Sequence, residues 1–144
     1  MRKLLLSAAA LALFVAAPAA AQQAGNVRYV GGTGANATLS SAVIVDGMIY
    51  LSGVLPSREA GEAIQDQTRS VMETIRSQLA ELGATMENVV KCTVYMADLS
   101  ERPQLNEVYR TYFPENRKPA RSAVGVDLGG PKVEIECMAA MPGA

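Results

Sequence analysis

Two short apolar runs, 42–45 and 48–52, lie on either side of an Asp-Gly pair at 46–47. An Asp-Gly pair between apolar runs is typical of a β-hairpin, so this part of the chain is predicted to form two antiparallel strands.

Farther on, apolar residues recur at three- and four-residue steps from Glu62 to Leu82, which predicts an amphipathic helix. Gly83 follows at the position where a left-handed helix C-cap is expected.

The next part of the chain again shows a strand pattern followed by a helix pattern. The β-branched run Val89–Met96 predicts a further main strand. Asp98 or Ser100 can cap the helix that follows, and Pro103 is tolerated in its first turn. The buried face of this second helix is predicted to consist of Leu105, Val108, Tyr109 and Tyr112.

The stretch 119–140 contains the polar residues that are best placed for chemistry. It is predicted to form a hairpin of two strands joined by a tight Gly-Gly-Pro turn. Arg121 opens the first strand, and the second strand carries Glu134 and Glu136 on one face and apolar residues on the other. We interpret Arg121 and Glu134 as the candidate functional pair and the rest of the chain as their scaffold.

These elements follow one another in the order β-β-α-β-α-β-β. Two helices on one face of a mostly antiparallel sheet make an α+β fold, a two-layer sandwich. The other face of the sheet carries many apolar residues and would be uncovered in a monomer. An exposed apolar face of this kind predicts self-association.

Residues 1–21 have the pattern of a secretory signal peptide. Two basic residues precede an apolar stretch at 4–17, and three alanines at 19–21 supply a cleavage pattern. An uncleaved membrane anchor is the alternative, because the apolar stretch is almost long enough to span a bilayer. We favour cleavage, which leaves a single domain at 22–144 that is periplasmic or secreted and does not contact the membrane.

The composition narrows the possible chemistry. The chain has 13 basic and 14 acidic residues, and the predicted signal holds two of the basic ones, so the mature charge is 11 − 14 = −3. A mildly acidic domain argues against nucleic acid as a partner, since phosphate binding needs a basic surface. The absence of histidine excludes a histidine-based triad and leaves few ligands for zinc, so no metal is expected.

Cys92 and Cys137 each fall within a predicted strand. An exported protein could join them in a disulfide. Two buried free thiols are the alternative, because free cysteines behave as small apolar residues in protein cores. We favour the free thiols.

Six segments of the chain, spread from about Ser40 to Ala140, resemble the RidA family of reactive intermediate deaminases, also called the YjgF or L-PSP endoribonuclease group. In order, they are SGVLP at 52–56, QTRSVMETI at 67–75, VVKCTVYMADL at 89–99, LNEVYRTYF at 105–113, PARSAV at 119–124 and KVEIECMA at 132–139. The resemblance implies the chorismate-mutase-like α+β fold. It also implies a homotrimer whose ligand clefts lie between subunits.

The resemblance implies an activity as well: the hydrolysis of enamines and imines of the 2-iminobutanoate and 2-iminopropanoate type to 2-keto acids and ammonia, without a cofactor. By the same resemblance, Arg121 holds the carboxylate of a small-molecule substrate, a task that suits a forked guanidinium. Glu134 corresponds to the glutamate that positions or activates water, and Glu136 on the same face is its competitor. Gly53 and Asn106 correspond to substrate-binding positions.

Several positions depart from the family pattern, and they leave alternatives open. Leu39 replaces an aromatic residue, and Ser41 and Val54 each replace a glutamine. The main alternative is therefore a non-catalytic trimer that binds small carboxylates or acts as a holdase. On the residues alone, Arg121 could instead form a surface ion pair and Glu134 could be a solvated strand residue. A ribonuclease is a third and weaker possibility, because the chain is acidic and has no histidine.

Overall fold

A computed structural model describes residues 26–32 and 34–143, so the predicted signal peptide at 1–21 lies outside the described residues. The described chain has an α+β fold with a mixed sheet of six strands and two α-helices, as the sequence predicts. Its main elements are β1 (Arg28–Val30), β2 (Ala42–Val45), β3 (Met48–Leu51), α1 (Ile64–Glu81), β4 (Val89–Met96), α2 (Arg102–Tyr109), β5 (Ala120–Gly125) and β6 (Val133–Ala140). The predicted order is confirmed from β2 onward, and β1 is an additional edge strand.

The sheet has the strand order β1-β2-β3-β6-β4-β5. Four neighbouring pairs are antiparallel, and only β4 and β5 run parallel, so the prediction of a mostly antiparallel sheet is confirmed. A parallel pair needs a crossover connection, which α2 supplies here between β4 and β5.

The predicted hairpin at 119–140 is wrong. The strands β5 and β6 exist, but β4 lies between them and pairs with both. The Gly-Gly-Pro segment belongs to a longer loop that passes over the end of β4: Val126 N–H donates to Met96 O at 2.9 Å, and Ala97 N–H donates to Lys132 O at 3.0 Å. Both ends of the loop are thus hydrogen-bonded to β4, which keeps β5 and β6 one strand apart.

Two predicted turns are confirmed. Asp46 and Gly47 both have positive φ, 48° and 74°, which is the geometry of the tight hairpin turn whose twist matches its strands. Gly83 has φ 79° just after α1, and Ala84 N–H donates to Leu79 O at 2.8 Å to close the helix end.

No helix in the described part of the chain is long and apolar enough to cross a membrane.

The core lies between the two helices and one face of the sheet. Along β6, buried Val133, Ile135 and Cys137 alternate with partly exposed Glu134 and Glu136, because successive strand residues point to opposite faces. The fully buried apolar side chains of α1 pack against this layer; they are Val71, Met72, Ile75 and Leu79.

The opposite face of the sheet, called the open face below, is covered by no element within 26–32 and 34–143. It carries apolar residues of three adjacent strands at partly exposed or exposed positions, which are Val43, Val45, Met48, Tyr50, Met138 and Ala140. Tyr50 at its centre is 40% exposed. An apolar surface of this extent is the feature on which the prediction of self-association rests.

Cys92 on β4 and Cys137 on β6 are joined by a disulfide. The expectation of two free thiols is therefore wrong, although both residues are buried strand residues as predicted. The two cysteines are direct cross-strand partners with a Cα–Cα distance of 4.2 Å. Directly opposed residues approach this closely in antiparallel sheets, which is close enough for their sulfur atoms to meet.

Candidate active site

Arg121 lies at the start of the edge strand β5, where it is the register partner of Cys92 and points toward the helix layer. Its guanidinium carbon is 4.7 Å from the centroid of the Tyr109 ring on α2, within the range of a cation–π contact. The ion pairs formed among the described residues do not include Arg121. The alternative of a surface ion pair is therefore not realised within one described chain.

A cavity of about 640 Å³ opens beside this arginine. The residues that line it come from α2 and from the segment that leads into β5; they are Pro103, Asn106, Glu107, Tyr109, Arg110, Lys118, Pro119 and Arg121. Asn106 and Tyr109 are three residues apart on α2, so they lie on the same side of the helix. The structure thus brings Asn106 and Arg121 together at one cavity.

The other two cations at this cavity are engaged with backbone carbonyls. Lys118 Nζ donates to Phe113 O at 2.9 Å and to Arg110 O at 3.2 Å. Arg110 Nε donates to Asn106 O at 3.1 Å. Arg121 is consequently the cation best placed to take an anionic ligand, and its guanidinium can fork onto a carboxylate.

Glu134 lies on β6 as the register partner of Tyr95, and it faces the open side of the sheet. Its carboxylate lies against Gly53: a Cβ added at Gly53 would overlap Glu134 Oε1 and would come within 2.9 Å of the carboxyl carbon. Val54 and Ile135 exchange two backbone hydrogen bonds of 2.9 and 3.1 Å, which fix the segment of Gly53 beside β6. The structure thus brings Gly53 and Glu134 together.

Glu136, the competitor of Glu134, has a partner of its own. The Tyr95 hydroxyl donates to Glu136 Oε1 at 3.3 Å. The negative charge of Glu136 is the main cause that raises the pKa of Tyr95 above its usual value, and burial, the hydrogen bond and the charge of Glu134 act in the same direction. Tyr95 therefore stays a neutral donor to Glu136, and Glu134 is the carboxylate that lies at Gly53.

Arg121 and Glu134 lie on opposite faces of the sheet. Their register partners on β4, Cys92 and Tyr95, are three positions apart, and an odd separation along a strand reverses the face. One chain therefore contains two half-sites: the arginine half-site, Asn106 with Arg121 at the cavity, and the glutamate half-site, Gly53 with Glu134 on the open face. It does not bring the two half-sites together.

The three departures from the family pattern occupy different environments. Leu39 is 64% exposed, whereas Val54 is buried at 6%. The Ser41 hydroxyl donates to Val30 O at 2.9 Å and so helps to attach β1 to the sheet. Of the three, only Val54 lies next to a predicted site residue, because it follows Gly53.

Two tyrosines near the half-sites were not predicted as site residues. The helix pattern places Tyr109 only on the buried face of α2, and its spacing of three residues from Asn106 is the signal that indicates a place at the cavity. Burial raises the pKa of Tyr109 to about 12, while the charge of Arg121 acts in the opposite direction. Tyr95 had no such signal, because its partner Glu136 is 41 residues away in the chain.

The six-stranded mixed sheet with its two helices defines a small α+β protein with a candidate anion site at Arg121. A family model described as Endoribonuclease L-PSP matches residues 32–141, most of the chain. The chain belongs to this family, the RidA or YjgF group, as its sequence segments indicate.

Its relatives include proteins with named activities. The chain is 37% identical over 100 residues to 3-aminoacrylate deaminase RutC of Acinetobacter baylyi, covering 66% of this chain and 79% of that protein. It is 36% identical over 109 residues to the chloroplastic Reactive Intermediate Deaminase A of Arabidopsis thaliana, covering 71% of this chain and 58% of that protein. The crystal structure of a YjgF family member from Neisseria meningitidis matches with a TM-score of 0.74 at 33% identity, covering 83% of this chain and 98% of that one.

Proposed function

We propose that this protein is an imine deaminase that hydrolyses small 2-imino acids, of the 2-iminobutanoate and 2-iminopropanoate type, to 2-keto acids and ammonia. The observation that carries the proposal is the guanidinium of Arg121 at a cavity, with no carboxylate of the described chain paired to it. An unpaired arginine of this kind suits a substrate carboxylate. Two relatives whose names are deaminases support the choice of reaction.

We further propose that a complete site forms between two copies of the chain in a homotrimer. The arginine half-site and the glutamate half-site lie on opposite faces of one sheet, so a single chain cannot present both to one small molecule. The open face, which carries Glu134, is the apolar surface that a second copy would cover. A neighbouring copy would bring its edge strand β5, and with it Arg121, to this face.

In the proposed reaction, an enamine first takes a proton from solvent at carbon and becomes the protonated imine. Arg121 holds the carboxylate, and Glu134 accepts a proton from water as the water oxygen bonds to the imine carbon and the C=N π pair moves to nitrogen. Glu134 then returns this proton to the nitrogen. The C–N bond breaks with its electron pair leaving on nitrogen, the carbonyl forms as the hydroxyl proton passes to the departing ammonia, and ammonium is released with the 2-keto acid. The overall balance is one enamine, one water and one proton from solvent, which together give one 2-keto acid and one ammonium ion.

The experiment that tests this function measures imine hydrolysis. An amino-acid oxidase generates imino acids in situ, and semicarbazide competes with the protein for them. We expect Arg121→Ala to lower kcat/KM by about 100-fold or more, because two charge-assisted hydrogen bonds to the carboxylate are lost. Arg117→Ala is the matched control, since Arg117 is an exposed arginine that pairs with Glu87 at 2.8 Å.

The outcome also separates the proposed deaminase from a non-catalytic binder. If wild-type protein binds 2-oxobutanoate through Arg121 but releases no ammonia from any imino acid, the protein is a carboxylate-binding protein and not a deaminase. Full activity in Arg121→Ala would refute the role of this arginine.

We also propose that the mature protein works in the periplasm or outside the cell. The Cys92–Cys137 disulfide supports this location, because disulfides persist in oxidising compartments and are rare in the cytosol. Cell fractionation with a C-terminal tag, combined with N-terminal sequencing, tests it. We expect the tagged protein in the extracytoplasmic fraction with Gln22 as its first residue, and a cytoplasmic protein that retains Met1 would contradict the proposal.

A further inference from the structure

We propose that the ring of Tyr109 is the platform that positions Arg121 for its carboxylate ligand, so that Tyr109 is a positioning residue of the arginine half-site. The inference rests on the proposed function for the identity of the ligand, and on geometry for the role of the ring. The guanidinium carbon of Arg121 lies 4.7 Å from the centroid of the Tyr109 ring. Tyr109 itself is only 6% exposed, so its position is set by the core.

The ring of Tyr109 is held from within the protein. The Phe113 ring lies one helical turn farther along the chain and packs on it, with centroids 5.0 Å apart and planes tilted by 49°. Phe113 is also buried at 6% exposure. Arg121 therefore rests on the Tyr109 ring, which Phe113 holds in the core, and a long flexible side chain gains a defined direction.

The same helix end also anchors the segment that leads to Arg121. Lys118, three residues before the arginine, donates from Nζ to Phe113 O and to Arg110 O. Lys118 thus attaches the start of β5 to the end of α2. Tyr109, on the same helix, contacts the guanidinium of Arg121. These two attachments orient Arg121 before any ligand binds, which lowers the entropy cost of holding a carboxylate.

The hydroxyl of Tyr109 does not explain its place at the cavity. The oxygen is enclosed by protein and has no hydrogen-bond partner among the described residues. Burial raises the pKa of Tyr109 to about 12, so the group stays neutral at physiological pH. An enclosed oxygen does not reach a ligand in the cavity, and the aromatic face is the part of Tyr109 that Arg121 contacts.

The test compares Tyr109→Leu, which removes the ring, with Tyr109→Phe, which keeps it. In Tyr109→Leu we expect the affinity for 2-oxobutanoate, measured by calorimetry, to fall about 3- to 30-fold. KM for the imino acid should rise by a similar factor with a smaller change in kcat, because ground-state binding is what is lost. Tyr109→Phe should stay within about twofold of wild type in both quantities.

A spectroscopic measurement decides the role of the ring without any turnover. In wild-type protein and in Tyr109→Phe, the Arg121 Nε–H resonance should be displaced upfield by the ring current, and in Tyr109→Leu this displacement should disappear. Tyr112→Leu is the matched control, because Tyr112 lies on the same helix end but hydrogen-bonds Glu73 at 2.8 Å. It should leave the Arg121 resonance and the 2-oxobutanoate affinity unchanged.

The outcomes separate this inference from the proposed function. An Arg121 Nε–H resonance that is displaced upfield only when residue 109 has an aromatic ring supports the platform even if no imine is hydrolysed. Conversely, an active wild-type enzyme whose Tyr109→Leu variant keeps both its KM and its Arg121 resonance would refute the platform and leave the deaminase intact. A loss in Tyr109→Phe equal to that in Tyr109→Leu would assign the effect to the hydroxyl and also refute it.

Discussion

At the scale of single residues, the Glu134 carboxylate occupies the space where a side chain at residue 53 would lie. The resemblance to the RidA family implies only that Gly53 is a substrate-binding position. In the structure, the absence of a side chain at Gly53 makes room for the Glu134 carboxylate. The requirement is steric, since Gly53 is not among the glycines with positive φ.

We therefore expect Gly53→Ala to displace the carboxylate of Glu134 and to lower kcat about 10- to 100-fold, because small errors in the placement of a catalytic group are costly. The fold should persist, as circular dichroism can check. Gly61→Ala is a matched control: a Cβ there would come within 2.7 Å of Asp66 Oδ2, and this side chain is half exposed and can move away. Equal activity in the two variants would show that Gly53 does not position Glu134.

At the scale of elements, the amphipathic patterns were sufficient for the helices and for most strands. Strand neighbours were harder to predict. The strand patterns of 119–140 were recognised, but their proximity in sequence suggested a hairpin, whereas β4 lies between them. The pairing of β5 with β4 depends on the crossover through α2, which no local pattern of residues specifies. The β1 strand has only three residues and was too short to give a clear alternation.

The disulfide also belongs to this scale, because it joins the adjacent strands β4 and β6 across 45 residues of sequence. Its removal in Cys92→Ala/Cys137→Ala should lower the free energy of unfolding by about 2–4 kcal/mol, mainly because the unfolded chain gains conformational entropy. Denaturant titrations with and without a reductant measure this difference. Reductant should destabilise the wild-type protein and leave the double variant unchanged. A wild-type unfolding midpoint that does not respond to full reduction would contradict a stabilising disulfide.

At the scale of the whole molecule, the sequence identified the candidate residues but not how they are shared. Arg121 and Glu134 are 13 positions apart in the chain, and a hairpin would have placed them on neighbouring strands. The observed topology separates them by β4 and by the thickness of the sheet. In the proposed homotrimer, contacts between copies decide whether the two residues meet in one site, and such contacts depend on surface complementarity and not on local periodicity.

If each site takes Arg121 from one copy and Glu134 from another, two inactive variants should restore activity to each other. Arg121→Ala and Glu134→Gln would be mixed in equal amounts, unfolded together and refolded. A site is intact when its arginine comes from a Glu134→Gln chain and its glutamate from an Arg121→Ala chain, so random assembly should recover about one quarter of the wild-type activity. The Arg121→Ala chain mixed with an Arg121→Ala/Glu134→Gln chain is the control, and it should recover none, because no chain in that mixture carries the arginine. Native mass spectrometry would confirm that mixed oligomers had formed. Mixed oligomers without any recovery would mean that both groups act from one chain, and the proposal of a shared site would then fail even if the enzyme is a deaminase.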